Sequence, residues 1–306
     1  MSDPRPSRVL LVGGGGGLVG RALLPEILDD HRVRSVHRHP TTEEAGKPVE
    51  WVALDVAAVT DWRSTLEGVD VVVNLVWYRW ASRRAFARLY DGLHRLLDAS
   101  REASIARFLH VSVPDAPTRL ESRIPYLRYK RQFDHAVAES GLSYRIVRPS
   151  LLFGPHDRLL TVMLGLMDRY RRFPMFGDGN YHVNPLWVGD LAHVLHQELH
   201  GTATGTVVMG GPEVRRYRDL TDFMFRALGL PPRYVSLGPR SSVGIASLFQ
   251  HLGSSLIYAY EVEWLLSDRL TIPPFTDSDR PLARVEPFLT EQAHLLREPP
   301  GLGRQV

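Results

Sequence analysis

Along the first half of the chain the apolar positions alternate between two periods. Arg8–Val12 is a short apolar run that ends in five consecutive glycines, Gly13 to Gly17, and beyond it Leu18, Ala22, Leu23 and Ile27 recur at helical spacing within Leu18–Asp30. The segment reads as strand, tight glycine turn, helix. Pro25 lies inside that helix, where it has no N–H to donate and its ring crowds the preceding turn, so a kink or an early end is expected. Further short runs predict strands at Val33–Arg38, Val49–Ala53, Asp70–Val76, Arg107–Val113 and Ser143–Val147, and helical periodicity predicts helices at Asp61–Glu67, Ser82–Arg101 and Ile124–Glu139. Alternation of this kind gives an open, mostly parallel sheet with helices on both faces, an α/β protein.

After Pro149 the pattern breaks into Gly/Pro-rich turns such as Phe153-Gly154-Pro155 and Phe176-Gly177-Asp178-Gly179-Asn180. Helices are expected at Leu159–Arg171, Val188–His200, Tyr217–Leu228 and Pro287–Arg297, with a strand near Thr206–Met209. This predicts a sheet domain over 1–156 and a smaller α/β lobe over 157–306, partly interleaved with the first.

Composition narrows the picture further. At 306 residues, with 44% hydrophobic and 23% charged positions, the chain is an ordinary globular one and neither disordered nor fibrous. It contains no cysteine, which excludes disulfides, thiolate metal sites and a cysteine nucleophile. Met1–Ser7 is polar, with no apolar core of a secretory signal, and the longest uncharged stretch, Ser241–Tyr260, carries five Ser, two Gly, a Gln and a His. A cytoplasmic protein without a membrane span is therefore expected. A net charge of +3 without a basic run gives no reason to expect a nucleic-acid partner. Of the 37 basic residues only Lys47 and Lys130 are lysines, so each lysine invites the question of what arginine cannot do there.

The glycine turn fits both dinucleotide spacings, through Gly15, Gly17 and Gly20 or through Gly14, Gly17 and Gly20. Its place between an N-terminal strand and a helix start, here Leu18 and Val19, suits a pyrophosphate. An NAD site normally offers an acid to the ribose 2′-hydroxyl about 20 residues beyond the glycines. Here Val36-His37-Arg38-His39 offers none, and the Arg38 guanidinium suits a 2′-phosphate, which favours NADP(H) over NAD(H). Tyr126 and Lys130, four apart in a predicted helix, share a face. A phenol works as an acid/base near neutrality only when a cation stabilises its phenolate, and Lys130 supplies one.

The chain resembles the short-chain dehydrogenase/reductase superfamily in its extended or atypical branch, and within it the NAD(P)H-binding, NmrA-like group that includes the complex I 39-kDa-type subunits. The likeness runs over about residues 8 to 230 and rests on the glycine turn, Leu54-Asp55-Val56, Val71-Val72-Val73-Asn74-Leu75, Arg107-Phe108-Leu109-His110-Val111-Ser112, Pro125-Tyr126-Leu127-Arg128-Tyr129-Lys130 and Val147-Arg148-Pro149-Ser150. It implies a Rossmann-type, doubly wound sheet. It further implies that Asp55, with Val56 beside it, meets the adenine amino group, that Leu75 lines the adenine-ribose channel, and that Pro149 lies beside the nicotinamide. Tyr126 is then the acid/base, Lys130 orients the ribose, and Ser112 polarises the substrate.

Two departures stand out. Many active members carry a second hydroxyl after the serine of the fifth strand, whereas this chain has Ser112-Val113-Pro114, and the small residues expected after the fourth strand are replaced by Val76-Trp77-Tyr78-Arg79-Trp80. The expected activity is an NADP(H)-dependent oxidoreductase acting on a carbonyl, alcohol or activated double bond of a small apolar or aromatic molecule, as a monomer or homodimer. Its alternatives are an epimerase or dehydratase that recycles a bound nucleotide, and a catalytically silent nucleotide-binding sensor or assembly protein. His193, His196 and His200 lie at i, i+3 and i+7 of a predicted helix, but no H-E-x-x-H or carboxylate accompanies them, so no metal is expected. Leu248–Leu266 is apolar enough for a lid, a dimer face or a surface helix, with packing against the lobe as the simpler reading.

Overall fold

The computed structural model describes residues 7–13, 16–38, 49–78, 81–251 and 258–297. In chain order the elements are β1 (Arg8–Val12), α1 (Leu18–Ile27), β2 (Arg32–His37), β3 (Val49–Ala53), α2 (Arg63–Leu66), β4 (Val71–Asn74), α3 (Arg83–Glu102), β5 (Arg107–Val111), α4 (Thr118–Arg123), α5 (Pro125–Glu139) and β6 (Tyr144–Pro149). They continue through β7 (Leu152–Phe153), α6 (Arg158–Tyr170), β8 (Phe173–Phe176), β9 (His182–Val183), β10 (Leu186–Trp187), α7 (Val188–His200), β11 (Gly205–Met209), β12 (Arg215–Arg216), α8 (Tyr217–Ala227), β13 (Tyr234–Leu237), α9 (Pro239–His251), α10 (Ala259–Leu266) and α11 (Val285–Arg297).

Seven strands form one sheet in the order β3-β2-β1-β4-β5-β6-β11, every neighbouring pair parallel. β1 sits at the centre, Val9 pairing with Val33 on one side and Val71 on the other, and its residues Val9 to Val12 are fully buried. A parallel strand covered on both faces has no polar side, which is why β1 and β4 read as unbroken apolar runs. The strand order reverses beside β1, and ligands of such sheets bind at the carboxyl ends of the strands near that reversal.

β4 and β5 end earlier than the apolar runs suggest. After Asn74 the Leu75 N–H still reaches Val12 O at 3.0 Å, but the Val111 carbonyl accepts from Lys130 Nζ at 2.7 Å, and the chain leaves the sheet. α1 continues through Pro25 and stops two residues later, at Ile27, with the Leu28 N–H closing on Leu24 O.

The chain divides into two compact units, each assembled from separate stretches of sequence. The sheet unit comprises Met1–Pro114, Thr118–Pro149 and Val188–Met209, so α7 and β11 return to the sheet and β11 extends it beside β6. Its core includes Leu10, Val72, Phe108, Phe133 and Ile146. The second unit comprises Asp115–Pro117, Ser150–Trp187 and Gly210–Val306, and packs around Phe153, Leu164, Met167, Phe225 and Leu289. Val262 and Leu265 of α10 belong to that core, while residues 252–257 of the apolar segment lie outside the described residues. The parallel pair β8–β13 and the helices α4, α9 and α10 lack a clean sequence signal of their own. Among the described residues no helix is long and apolar enough to cross a membrane.

Candidate active site

The glycine turn begins at a position only glycine tolerates. Gly13 has φ +74°, and a Cβ there would stand 2.2 Å from Val76 Cβ. Its N–H bonds to Val36 O, tying the end of β1 to β2. Gly14 and Gly15 lie outside the described residues. Gly17 is the extended N-cap of α1 and contributes no side-chain cap, so Leu18, Val19 and Gly20 open the helix with backbone N–H groups and no acid in the first turn. Gly20 is buried where α1 meets the sheet unit's interior.

The remaining candidates follow the carboxyl ends of successive strands. Arg38 follows β2, is exposed, and its guanidinium lies 5.5 Å from the centre of the Tyr78 ring. Burial, then the Asp55 charge, pushes the Tyr78 phenol above its ordinary value. Asp55 follows β3 and turns one oxygen inward, accepting from the Ala57 N–H at 2.9 Å. Val56 is buried, and its carbonyl lies so close to α3 that a Cβ on Gly92 would meet it at 1.8 Å. Leu75 follows β4. Pro149 ends β6, buried opposite Met209 of β11.

Tyr126 and Lys130 stand one turn apart on α5, which opens with Pro125 as its first residue, the position where a missing N–H costs nothing. Tyr126 is half-buried; Lys130 is 4% exposed. Besides its bond to Val111 O, the Lys130 ammonium lies 4.5 Å from the centre of the Trp77 ring. Burial pulls the amine down to about 7, against the opposing pull of Asp134. Ser112 follows β5, its N–H bonded to Val147 O at 2.7 Å. Its buried hydroxyl makes no hydrogen bond of normal geometry within the protein, yet it faces Asp134 closely enough to help hold that carboxyl ionised. Arg79 and Trp80 lie outside the described residues, so of the aromatic segment Trp77 and Tyr78 are placed against candidate residues.

Beneath these residues is a buried polar network absent from the sequence reading. Asp134, one turn beyond Lys130 on α5, is 3% exposed and accepts from Arg131 Nη1 at 2.7 Å and Arg148 Nη2 at 2.9 Å. His110 Nε2 lies 3.4 Å from its other oxygen, and His110 Nδ1 is 3.0 Å from Asn74 Nδ2. Burial alone would raise the Asp134 carboxyl, but His110, Ser112 and Arg148 outweigh it and hold it well below the usual carboxylate range. Burial and the Lys130 charge lower His110 to about 4, so it is neutral at neutral pH. The i, i+4 step from Lys130 to Asp134 was a legible signal; Asn74 and His110, inside apolar strands, offered none.

The residues present fit a dinucleotide. A glycine cradle at β1, an uncapped helix start, a buried hydroxyl at β5 and a buried amine beside it all belong to the sheet unit, and the strand-end groups stand at its carboxyl edge. The NAD(P)H-binding family profile matches residues 14–163. The chain is 24% identical over 277 residues to the 2-alkyl-3-oxoalkanoate reductase of Stenotrophomonas maltophilia, covering 79% of this chain and 82% of that protein. It is 27% identical over 183 residues to the mitochondrial NADH dehydrogenase (ubiquinone) 1 alpha subcomplex subunit 9 of Arabidopsis thaliana, covering 57% of this chain but 44% of that relative's length. In fold it is similar to a nucleoside-diphosphate-sugar epimerase of Staphylococcus aureus, with a TM-score of 0.74 at 15% identity over 92% of this chain and 99% of that one. Sheet order, glycine turn and profile agree: residues 14–163 form an NAD(P)H-binding domain, on a fold that the chain shares with the nucleoside-diphosphate-sugar epimerase.

Proposed function

We propose that this protein is an NADP(H)-dependent oxidoreductase that reduces a carbonyl or activated double bond, or oxidises the corresponding alcohol, of a small apolar or aromatic molecule. The observation that carries the reading is Lys130, a buried amine anchored on Val111 O at the end of β5, one helical turn from Tyr126, with the buried hydroxyl of Ser112 on the next residue of that strand end. The nicotinamide supplies or accepts the hydride. In the reducing direction Tyr126 Oη gives its proton to the substrate oxygen, the Ser112 hydroxyl donates a hydrogen bond to that oxygen, and the Lys130 ammonium stabilises the phenolate left behind. The same ammonium holds the ribose hydroxyls. Gly14, Gly17 and the start of α1 would hold the pyrophosphate, Asp55, Val56 and Leu75 would flank the adenosine, and Pro149 would back the nicotinamide.

Arg38 over Tyr78 supplies the preference for NADP(H), as a guanidinium fork suited to a 2′-phosphate. The similarity to a curated reductase over most of both chains supports reduction as the chemistry. Nicotinamide fluorescence titrations with NADPH and NADH test the cofactor half: Arg38→Ala weakens NADPH far more than NADH, and equal losses refute the assignment. Tyr126→Phe tests the chemical half, abolishing turnover of a carbonyl substrate while NADPH still binds. Nucleotide that copurifies with the protein and shows no net absorbance change during turnover would instead support recycling by an epimerase or dehydratase. NADPH binding without any turnover would support a silent sensor.

A further inference from the structure

Within the sheet unit, the turn between α1 and β2 meets α7 through three imidazoles. His31, which closes that turn, is 5% exposed; its Nδ1 lies 2.6 Å from Ser7 Oγ, and its Nε2 is buried with no hydrogen-bond partner. His196 and His200 lie one turn apart on α7. The His200 ring stacks on His31 with centroids 4.9 Å apart and planes 28° apart, and the His196 ring meets His31 edge-on at 5.9 Å. One ring nitrogen from each of the three falls within 4.8 Å of the others. Asp30, next in the chain to His31, brings Oδ2 to 3.5 Å from His196 Nε2.

We infer that His31, His196 and His200 bind a divalent transition-metal ion of the zinc type, with the Asp30 carboxylate beside His196 as its outer partner. A buried ring nitrogen without a partner costs free energy unless something takes its lone pair. With the proton on Nδ1, facing Ser7 Oγ, the His31 Nε2 presents that lone pair, and Ser7 acts as the outer partner that fixes a ligand's tautomer. Three imidazoles favour zinc, nickel or copper over magnesium or calcium, which take oxygen ligands. Zinc–nitrogen bonds of about 2.0–2.1 Å place tetrahedral ligands roughly 3.3 Å apart, so the cluster closes by about 1.5 Å. His200, exposed on the rim, supplies that movement by turning off the face of His31. The ion would pin the end of α1 to α7, independently of any nucleotide.

The test is a titration of the untagged, chelator-stripped full chain with Zn2+ in competition with a chromophoric chelator. One ion per chain is expected, with affinity reduced at least about 100-fold in His200→Gln and in His196→Gln. His193→Gln, which alters the α7 histidine paired with Glu26, leaves the affinity unchanged. Zn2+ also raises the Tm of the parent and not that of His200→Gln, an exposed substitution that leaves the fold intact by circular dichroism. No stoichiometric uptake, weak uptake spread over several ions per chain, or equal affinity in parent and His200→Gln would each overturn the proposal.

Discussion

Asp134→Asn tests the buried network most directly. The substitution keeps the shape of the side chain and removes a charge that is 3% exposed and that two guanidinium groups and an imidazole approach. Arg131 keeps a second carboxylate, Glu121, at 3.3 Å, but the Arg148 and Arg131 side chains are only 15% and 17% exposed and water compensates them poorly. Breaking such a pair from one side costs about 3–5 kcal/mol, and the surviving Glu121 contact puts this case near 3 kcal/mol. The pH dependence has a definite sign. Asp134 is held below its unfolded pKa of about 3.9, so its contribution is complete above that pH and is lost as pH falls toward the folded value. Urea denaturation followed by tryptophan fluorescence is expected to show the variant about 3 kcal/mol less stable at pH 7, with the gap narrowing below about pH 4. A gap under about 1 kcal/mol at pH 7, or one that widens on acidification, refutes the reasoning.

The same substitution reports on Lys130. The Asp134 charge is what opposes burial of the amine, so without it Lys130 falls below about 7 and less of it is charged than in the parent near neutral pH. In the proposed reading the ammonium holds the ribose. NADPH affinity measured by fluorescence is then expected to drop in Asp134→Asn at pH 7.5 and to recover as pH is lowered, in the folded range.

Two further substitutions separate fold from function. Gly13→Ala places a Cβ in the left-handed region, at about 1–2 kcal/mol, and against Val76 Cβ, so nucleotide binding is expected to be lost; because the clash is with the Cβ itself, adding Val76→Ala brings no recovery in the same titration. Glu198→Gln acts at the opposite edge of the sheet, where Glu198 pairs with Arg107 at 2.6 Å and Arg145 at 2.9 Å near the starts of β5 and β6. With the Arg107 side chain 4% exposed, chemical denaturation is expected to show a loss of about 3 kcal/mol, while the NADPH affinity of the folded protein stays unchanged.

The central strands were legible because they are buried on both faces and announce themselves by residue type alone, as Arg8–Val12 does; the partly exposed edge strand Val49–Ala53 also matches to the residue. The ends of β4 and β5 were not, because a distant group decides where a strand stops: Val111 gives its carbonyl to Lys130, 19 positions on. The lobe was harder still. β8 pairs with β13 across about sixty residues, and two four-residue strands carry too few positions to show a period. Polar residues in apolar strands leave the same blind spot. His110 occupies an inward position of β5, and nothing in the run Arg107-Phe108-Leu109-His110-Val111 tells that its partners are Asn74 and Asp134. The α7 histidines were seen at helical spacing and set aside for want of an H-E-x-x-H motif or a carboxylate partner; the groups that meet them, His31 and Asp30, come from a turn more than 150 residues earlier.

The use of arginine and lysine ties these levels together. Thirty-five of the 37 basic residues are arginine, and those driven inside are met by several acceptors. Arg107 reaches Glu198 O, Glu198 Oε2, Ala203 O and Ser143 Oγ, and Arg34 reaches Thr65 O, Glu67 O and the Glu50 carboxylate. A guanidinium keeps its charge at every accessible pH, so its burial demands that many partners. Lys130 sits as deep as they do, with one carbonyl, one aromatic face and a carboxylate a helical turn away. That environment supports a cation only in part, and only an amine, whose pKa burial can bring to about 7, tolerates it. An arginine there would force a full charge on a site built for a partial one. The rarity of lysine in the sequence and the depth of Lys130 in the structure are therefore one observation: this position holds a positive charge that can be given up.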